Sequence, residues 1–319
     1  MMNEQKVVVL MPAYNAADFI GQAIQSVLDQ THTNFELLIV NDGSIDETEK
    51  LILSFSDPRI TLINQENAGI AAALNKGLSL ANADYIARFD ADDICMPGRL
   101  EKQIKFLLEH PEYVAVGSDA EYITAQGNHL FDFKCIGYTH EVILEKLYFY
   151  CPFIHSAVMY KKSPVIDAGG YLEDAHHFED YLLWVRLLKY GKFFNLSEQL
   201  IKVRFHPSSV TIDEKWRSRR FRQLKRLSIL KGGIAKKDGD ELLDIIRRQN
   251  LQKLKEGAYY ALCGKKYLLD NYRPLEARIC LSKAIRIYPA RLDNYFLLAL
   301  SFFPIGIINW LHLKSPNKI

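Results

Sequence analysis

The chain has 319 residues, 49% of them hydrophobic, enough for one large domain with an appendage or for two domains. Its five cysteines, Cys95, Cys135, Cys151, Cys263 and Cys280, are odd in number and form no CxxC pair, which argues against a disulfide framework or a zinc site and fits a reducing cytoplasm. The net charge of +2 hides an asymmetry: residues 1–200 carry 15 Lys/Arg against 28 Asp/Glu, net −13, and residues 201–319 carry 25 against 10, net +15. The basic half is expected to face something anionic, either nucleic acid or the anionic inner leaflet of a membrane; a solvated helical surface is the plain alternative.

In chain order, Val7-Val8-Val9-Leu10 reads as a buried strand, and Val7 to Met11 is too short for a secretory signal. It runs into Pro12-Ala13-Tyr14-Asn15 and an amphipathic helix from about Asp18 to Asp29. Glu36–Val40 is a second strand, ending in Asn41-Asp42-Gly43-Ser44, with a helix from about Asp46. Ile60–Ile63 is a third, and Asn67-Ala68-Gly69 opens a helix through about Leu80. A fourth, Asp84–Phe89, leads into Asp90-Ala91-Asp92-Asp93, and a helix follows from about Pro97 to Glu109. Short apolar strands alternating with helices predict βαβ units and an α/β fold with a mostly parallel, doubly wound sheet. In such sheets ligands bind at the carboxyl ends of the strands, and Tyr14, Asp42, Asn67 and Asp90 all lie just beyond strand ends on that one rim.

Past residue 113 the alternation changes. Tyr113–Val116 is a strand, a polar hairpin region runs to about Lys134, and a helix spans about Glu141 to Tyr150. Phe153–Tyr160 reads as a strand and Gly169-Gly170-Tyr171 as a turn. Glu179-Asp180 begins a helix to about Tyr190, stopped by Gly191. Strands near Lys192–Asn195 and Leu200–Phe205 close the domain, which is expected to span residues 1–212. Residues 213–319 are expected to form a basic helical extension, with a break at Gly232-Gly233 and a helix over Ala277–Ile287. The last element, Tyr295–Leu313, approaches the length of a bilayer span but contains Ser301, Pro304, Gly306 and Asn309, with Trp310, His312 and Lys314 suited to an interface. A bent helix on or partly in a membrane surface fits it best; a helix in the protein's own core and a true span are the alternatives.

The Asp cluster is the most chemically informative segment. Closely spaced carboxylates repel unless something positive neutralises them, and Mg²⁺ or Mn²⁺, hard ions that take oxygen ligands, would do so. A solvated turn before the Pro97 helix is the plain alternative.

Together the segments VVVLMPAYN (Val7–Asn15), NDGS (Asn41–Ser44), NAG (Asn67–Gly69), DADD (Asp90–Asp93) and ED (Glu179–Asp180) resemble, in type and order, the inverting family 2 glycosyltransferases of the GT-A fold. The resemblance covers about residues 5–210. It implies transfer of a sugar from a nucleotide-sugar, UDP-linked by preference, to a hydroxyl of a glycan or glycolipid acceptor in surface polysaccharide or lipid-linked glycan synthesis. Asp42 matches the Asp that bonds the uracil imide, although an Asp-Gly turn has sequence support of its own. Pro12, Ala13 and Tyr14 match the loop against the base, and Asn67 and Gly69 the turn beside the nucleotide. Asp90 and Asp92 match the DxD pair, Asp92 being the first choice for a direct metal ligand and Asp93 a supporting residue. Lys76 and Arg88 are placed to approach the diphosphate or the donor sugar, or to form ordinary surface ion pairs. Asp180 matches the catalytic base, with Glu179 beside it; an N-cap role worth ~1 kcal/mol is the alternative. His155 matches the segment before the acceptor site, and Arg204 and His206 a loop that folds over the diphosphate. Trp184 and Phe178 flank the base, with core packing favoured for Trp184.

Two other functions compete. A nucleotidyltransferase would carry a Gly-rich basic loop after the first strand, and Pro12–Ala17 has neither Gly nor a basic residue. A nucleic-acid-binding or scaffold role would rest on Arg217-Ser218-Arg219-Arg220-Phe221-Arg222, which no recognition motif accompanies. The expectation is therefore an enzyme without a nucleic-acid partner, cytoplasmic and on the inner face of a membrane.

Overall fold

The computed structural model describes residues 5–207, 209, 216–249 and 251–308. These fall into two compact units, one built from residues up to 121, 132–204 and 224–240, the other from 122–131, 205–223 and 241 onward. The boundary expected at residues 212 and 213 lies outside the described residues.

The first unit is organised by a nine-stranded mixed sheet. Strands β1 (Val7–Ala13), β2 (Phe35–Asp42), β3 (Ile60–Gln65) and β4 (Tyr85–Arg88) lie in the order β3-β2-β1-β4, all parallel. All seven residues of β1 are buried, because paired neighbours flank it and both its faces are covered, which is why its sequence is an unbroken apolar run. Helix α1 (Ile20–Leu28) buries Ile20, Ala23, Ile24 and Val27, one stripe at helical spacing. Helices α2 (Thr48–Leu53), α3 (Ile70–Leu80) and α4 (Arg99–Glu109) follow β2, β3 and the short β5 (Ile94–Cys95).

The sheet then continues as β4-β8-β6-β9-β5, built from β6 (Tyr113–Ile123), β8 (Met159–Lys161) and β9 (Lys192–Arg204). Here β8 is antiparallel to both β4 and β6, and β9 to β5. Strand β7 (His129–Phe133) pairs with β6 as the expected hairpin. Helices α5 (His140–Lys146), α6 (Lys162–Asp167) and α7 (Glu179–Leu187) complete this half, and one core joins Leu10, Leu74, Tyr160, Trp184 and Phe193.

Three elements differ from the sequence expectation. Residues 153–160 are not one strand: His155–Ala157 form a 3₁₀ turn before β8, from which the Ser156 hydroxyl oxygen reaches the Asp90 N–H. Lys192–Arg204 is one strand rather than two, its polar middle (Ser197, Glu198, Gln199) lying exposed while the backbone stays extended. The helix at 141–150 stops at Lys146.

Helix α8 (Arg219–Lys231) ends at Gly232-Gly233 as expected, followed by α9 (Lys236–Arg248). In the second unit, α10 (Leu251–Leu269), α11 (Pro274–Ile287) and α12 (Leu292–Leu300) bury two small cores. Trp216, Leu254, Ala258 and Ala284 form one; Leu268, Ala277, Leu281, Leu300 and Ile308 the other. The expected terminal element breaks after Leu300, ahead of Pro304. No helix among the described residues is long and apolar enough to cross a membrane. Trp310, His312 and Lys314 lie outside the described residues.

Candidate active site

Parallel pairing of β1, β2 and β4 brings their carboxyl ends to one rim. The loops there are fastened to each other. Asn15, held at φ 48°, donates its N–H to Ser44 Oγ (3.0 Å) and accepts from the Ile45 N–H at its Oδ1 (2.9 Å). The Ala16 N–H donates to Thr48 Oγ1 (2.8 Å) and the Ala17 N–H to Asp46 Oδ2 (3.1 Å). Pro12 and Ala13 are buried at the end of β1, and Tyr14, half exposed, stands on the open side of this loop.

Asp42 is 4% exposed and its carboxylate accepts three hydrogen bonds: from Gln65 Nε2 (2.7 Å), the Ala68 N–H (2.9 Å) and the Gly69 N–H (2.8 Å). About one of its roughly four acceptor directions is left over. The Asp-Gly turn is thereby bonded to the Asn67-Ala68-Gly69 turn. Gly43 sits at φ 71°, where an added Cβ would lie 2.7 Å from the Asn67 nitrogen, so only glycine fits. Asn67 and Gly69 are exposed beside it.

The Asp90–Asp93 segment is a turn closed by the Asp93 N–H on the Asp90 carbonyl (3.4 Å). Its carboxylates converge: one oxygen each from Asp90, Asp92 and Asp93 lie within 4.8 Å of one another. Two buried arginines sit beneath. Arg88 is ion-paired to Asp90 Oδ2, and Arg99 donates to the Arg88 carbonyl from Nη2 (2.8 Å). The Ser156 hydroxyl oxygen accepts the Asp90 N–H (3.0 Å). Arg204, also buried, clamps the far side: its N–H donates to Asp93 Oδ1 (2.8 Å), its Nε to the Asp92 carbonyl (2.8 Å), and its guanidinium stacks over Phe19 at 4.8 Å. Burial, and then the charge of Asp92, push the Asp93 carboxyl well above the usual carboxylate range. Asp93 Oδ2 is buried without a well-aligned donor, the Ser156 hydroxyl being its polar neighbour. Converging carboxylate oxygens, one of them buried without a well-aligned donor, form an all-oxygen set that fits a hard divalent cation.

The second acidic group opens α7. Glu179 is 8% exposed, and burial followed by the neighbouring Asp180 charge pushes its carboxyl up to about 7. Asp180 is also raised, by burial first, with its own helix's Tyr181 N–H (2.7 Å to Oδ1) pulling the other way. Arg88 acts electrostatically on Asp90, Glu179 and Asp180, so the two acidic groups share one field. His155 Nε2 is 3.0 Å from Tyr171 Oη, and burial, then Arg88, hold its imidazole well below its ordinary value.

The structure thus brings Asp90, Asp92, Asp93, Glu179, Asp180, His155 and Arg204 to one neighbourhood, with Asp42, Asn67 and Gly69 along the same rim. Arg204 is built into the Asp turn rather than carried on a free loop. His206 falls in the second unit, where its N–H donates to Ser209 Oγ (3.1 Å). Lys76 is exposed on α3. Phe178 and Trp184 are core residues, Trp184 packing edge-on to Phe153 at 5.2 Å. Sequence reading missed Gln65, Arg99, Ser156, Tyr171 and Cys151, whose Sγ lies 3.8 Å from Asp180 Oδ2. Each acts on a residue distant in sequence, so no local pattern announces it.

Residues 8–165 match the family model for glycosyl transferase family 2. An uncharacterized glycosyltransferase of Haemophilus influenzae is 32% identical over 202 residues, covering 61% of this chain and 74% of its own. The chain belongs to glycosyl transferase family 2. The amylovoran biosynthesis glycosyltransferase AmsE of Erwinia amylovora is 32% identical to this glycosyltransferase over 216 residues, covering 65% of this chain and 79% of the relative. Its fold is similar to that of S. aureus TarS 1–349, solved in complex with UDP-GlcNAc (TM-score 0.56, 17% identity, 91% of each chain). It is also similar to the mannosyltransferase PcManGT of Pyrobaculum calidifontis, solved with GDP-Man and Mn²⁺ (TM-score 0.55, 18% identity, 97% of this chain and 81% of that one). The glycosyltransferase has the GT-A type of α/β sheet, with a helical C-terminal extension.

Proposed function

We propose that this glycosyltransferase moves a sugar from a UDP-sugar to an acceptor hydroxyl with inversion, in the synthesis of a surface polysaccharide or lipid-linked glycan. The observation that carries this reading is the pairing of two acidic groups across Arg88: the Asp90–Asp93 cluster on the strand rim and Glu179-Asp180 at the start of α7. Such a separation divides labour between a diphosphate end and a proton-accepting end. Asp92, with Asp90, would hold Mg²⁺ or Mn²⁺, whose chemistry is Lewis-acid stabilisation of the departing diphosphate. Asp180 takes the proton from the acceptor hydroxyl as that oxygen attacks the anomeric carbon; burial raises its basicity, and Glu179 is its acidic neighbour. Asp42 offers its remaining acceptor direction to the uracil imide N–H, Pro12, Ala13 and Tyr14 line the base, and Asn67 and Gly69 border the nucleotide. His155 borders the sugar or acceptor, and Arg204 acts on the diphosphate through the turn it clamps.

The amylovoran relative supports a polysaccharide product, and the two solved neighbours support a nucleotide-sugar donor. We assign the protein to the cytoplasmic face of an anionic membrane, supported by the basic second half and by exposed Phe302, Phe303, Ile305 and Ile307. The deciding experiment is thermal stability against UDP, GDP, dTDP and CDP, each with and without Mn²⁺. UDP is expected to raise the melting temperature only with metal, and Asp92→Ala to abolish the rise. A metal-independent shift, or a preference for GDP or CDP, would overturn the donor assignment.

A further inference from the structure

Helix α8 lies beyond the residues the family model matches, yet part of it belongs to the catalytic unit. Leu224, Ser228 and Ile229 are buried, and a Cβ on its terminal Gly232 would sit 3.9 Å from Val185 Cγ1 on α7. This places Lys225, half-buried, against the start of α7. Its Nζ is 5.5 Å from the Tyr181 ring centroid and 6.0 Å from that of Phe178, the residues on either side of Glu179-Asp180. The aromatic faces hold the ammonium by cation–π attraction and fix its four-carbon stem.

We propose that Lys225 is a positioning residue: it fixes the electrostatic setting of Asp180 so that this carboxylate stays ionised at neutral pH. The proposal rests on Asp180 being the base. The titratable groups facing Asp180 are Glu179 on its own helix, Arg88 on β4, Cys151 with Sγ at 3.8 Å, Tyr171, and Lys225 from α8. Arg88 is already committed to Asp90 by an ion pair and is shared with Glu179. Lys225 instead acts on the α7 end, drawing both the Asp180 carboxyl and the Cys151 thiol downward against the larger upward effect of burial. A nearby opposite charge favours the charged carboxylate.

The test is UDP release with a UDP-sugar from pH 5.5 to 9.5, using the full chain and its Lys225→Met, Lys225→Gln, Lys225→Arg and Asp180→Asn variants, with thermal melts to check folding. Lys225→Met and Lys225→Gln are expected to move the acid limb of kcat/KM upward by roughly one pH unit. Activity should then fall up to about tenfold on the acid side of the limb and return to within about twofold of the unmodified chain on the alkaline side. Lys225→Arg should keep the original limb. An unmoved limb, or an equal loss at every pH, with Asp180→Asn inactive, would overturn the role of Lys225 alone. Full turnover by Asp180→Asn would remove the base assignment and this proposal together.

Discussion

At the residue scale, the site depends on carboxylates kept in environments that disfavour their charge. Burial, then the adjacent Asp180, set Glu179 near 7, and burial raises Asp180 as well. A base must be ionised, so kcat/KM is expected to fall on the acid side, with its limb above the ordinary range of an aspartate because burial raises Asp180, measured as UDP release across pH. Stability runs the other way. A carboxyl raised in the folded state stabilises fully below its unfolded value, and that stabilisation is lost as pH rises through the folded value. Melting temperatures should therefore show a downward contribution from Glu179 between about 4.5 and about 7, which Glu179→Gln removes. Asp42 has a different task, since three donors converge on it. Asp42→Ala leaves the half-buried Gln65 amide and the Ala68 and Gly69 N–H groups without their acceptor. It is expected to cost about 1–3 kcal/mol of stability by denaturant melts, in addition to any loss of donor affinity. A variant as stable as the original would show that this carboxylate does not hold the turn.

At the element scale, the Asp90–Asp93 turn is stiff because β9 reaches back to it. Arg204 closes the last residue of that strand onto Asp93 and Asp92, more than a hundred residues earlier in the chain. Arg204→Met keeps the backbone N–H bond to Asp93 but loses the guanidinium bond to the Asp92 carbonyl. The Mn²⁺-dependent rise in melting temperature is expected to shrink by more than half, with Arg204→Lys rescuing little, because one ammonium does not reproduce the planar fork. Full retention of the rise in Arg204→Met would make the clamp irrelevant to the cation. The same strand shows why β9 looked like two pieces in sequence: Ser197, Glu198 and Gln199 break the apolar run, but extended backbone does not require apolar side chains.

At the scale of the whole molecule, the charge is divided unevenly along the chain, and exposed Phe302, Phe303, Ile305 and Ile307 follow one another in the basic half. Co-sedimentation with vesicles containing anionic lipid is expected, and should weaken several-fold on vesicles of neutral lipid or on raising the salt. Phe302→Ser with Phe303→Ser should weaken it without altering turnover on a soluble acceptor. Equal recovery in the supernatant with and without anionic vesicles would remove the membrane assignment. The amino acid sequence by itself determined the parallel half of the sheet and its rim. The central strands β1 and β2 are buried on both faces, β3 at the sheet edge is half-buried, and all are read from apolar runs, with Asp42, Asn67, Asp90 and Asp92 following at their ends at short range. It equally determined that Glu179-Asp180 begins a helix, since helix starts are local. Only the tertiary structure decided that the two acidic groups share the field of Arg88 and that Arg204 clamps the Asp turn. Only it decided that Gln65 and Gly69 occupy Asp42, and that Lys225 faces the start of α7. Each of these is a contact between residues far apart in the chain, fixed by how the sheet and helices pack, and sequence periodicity carries no trace of it.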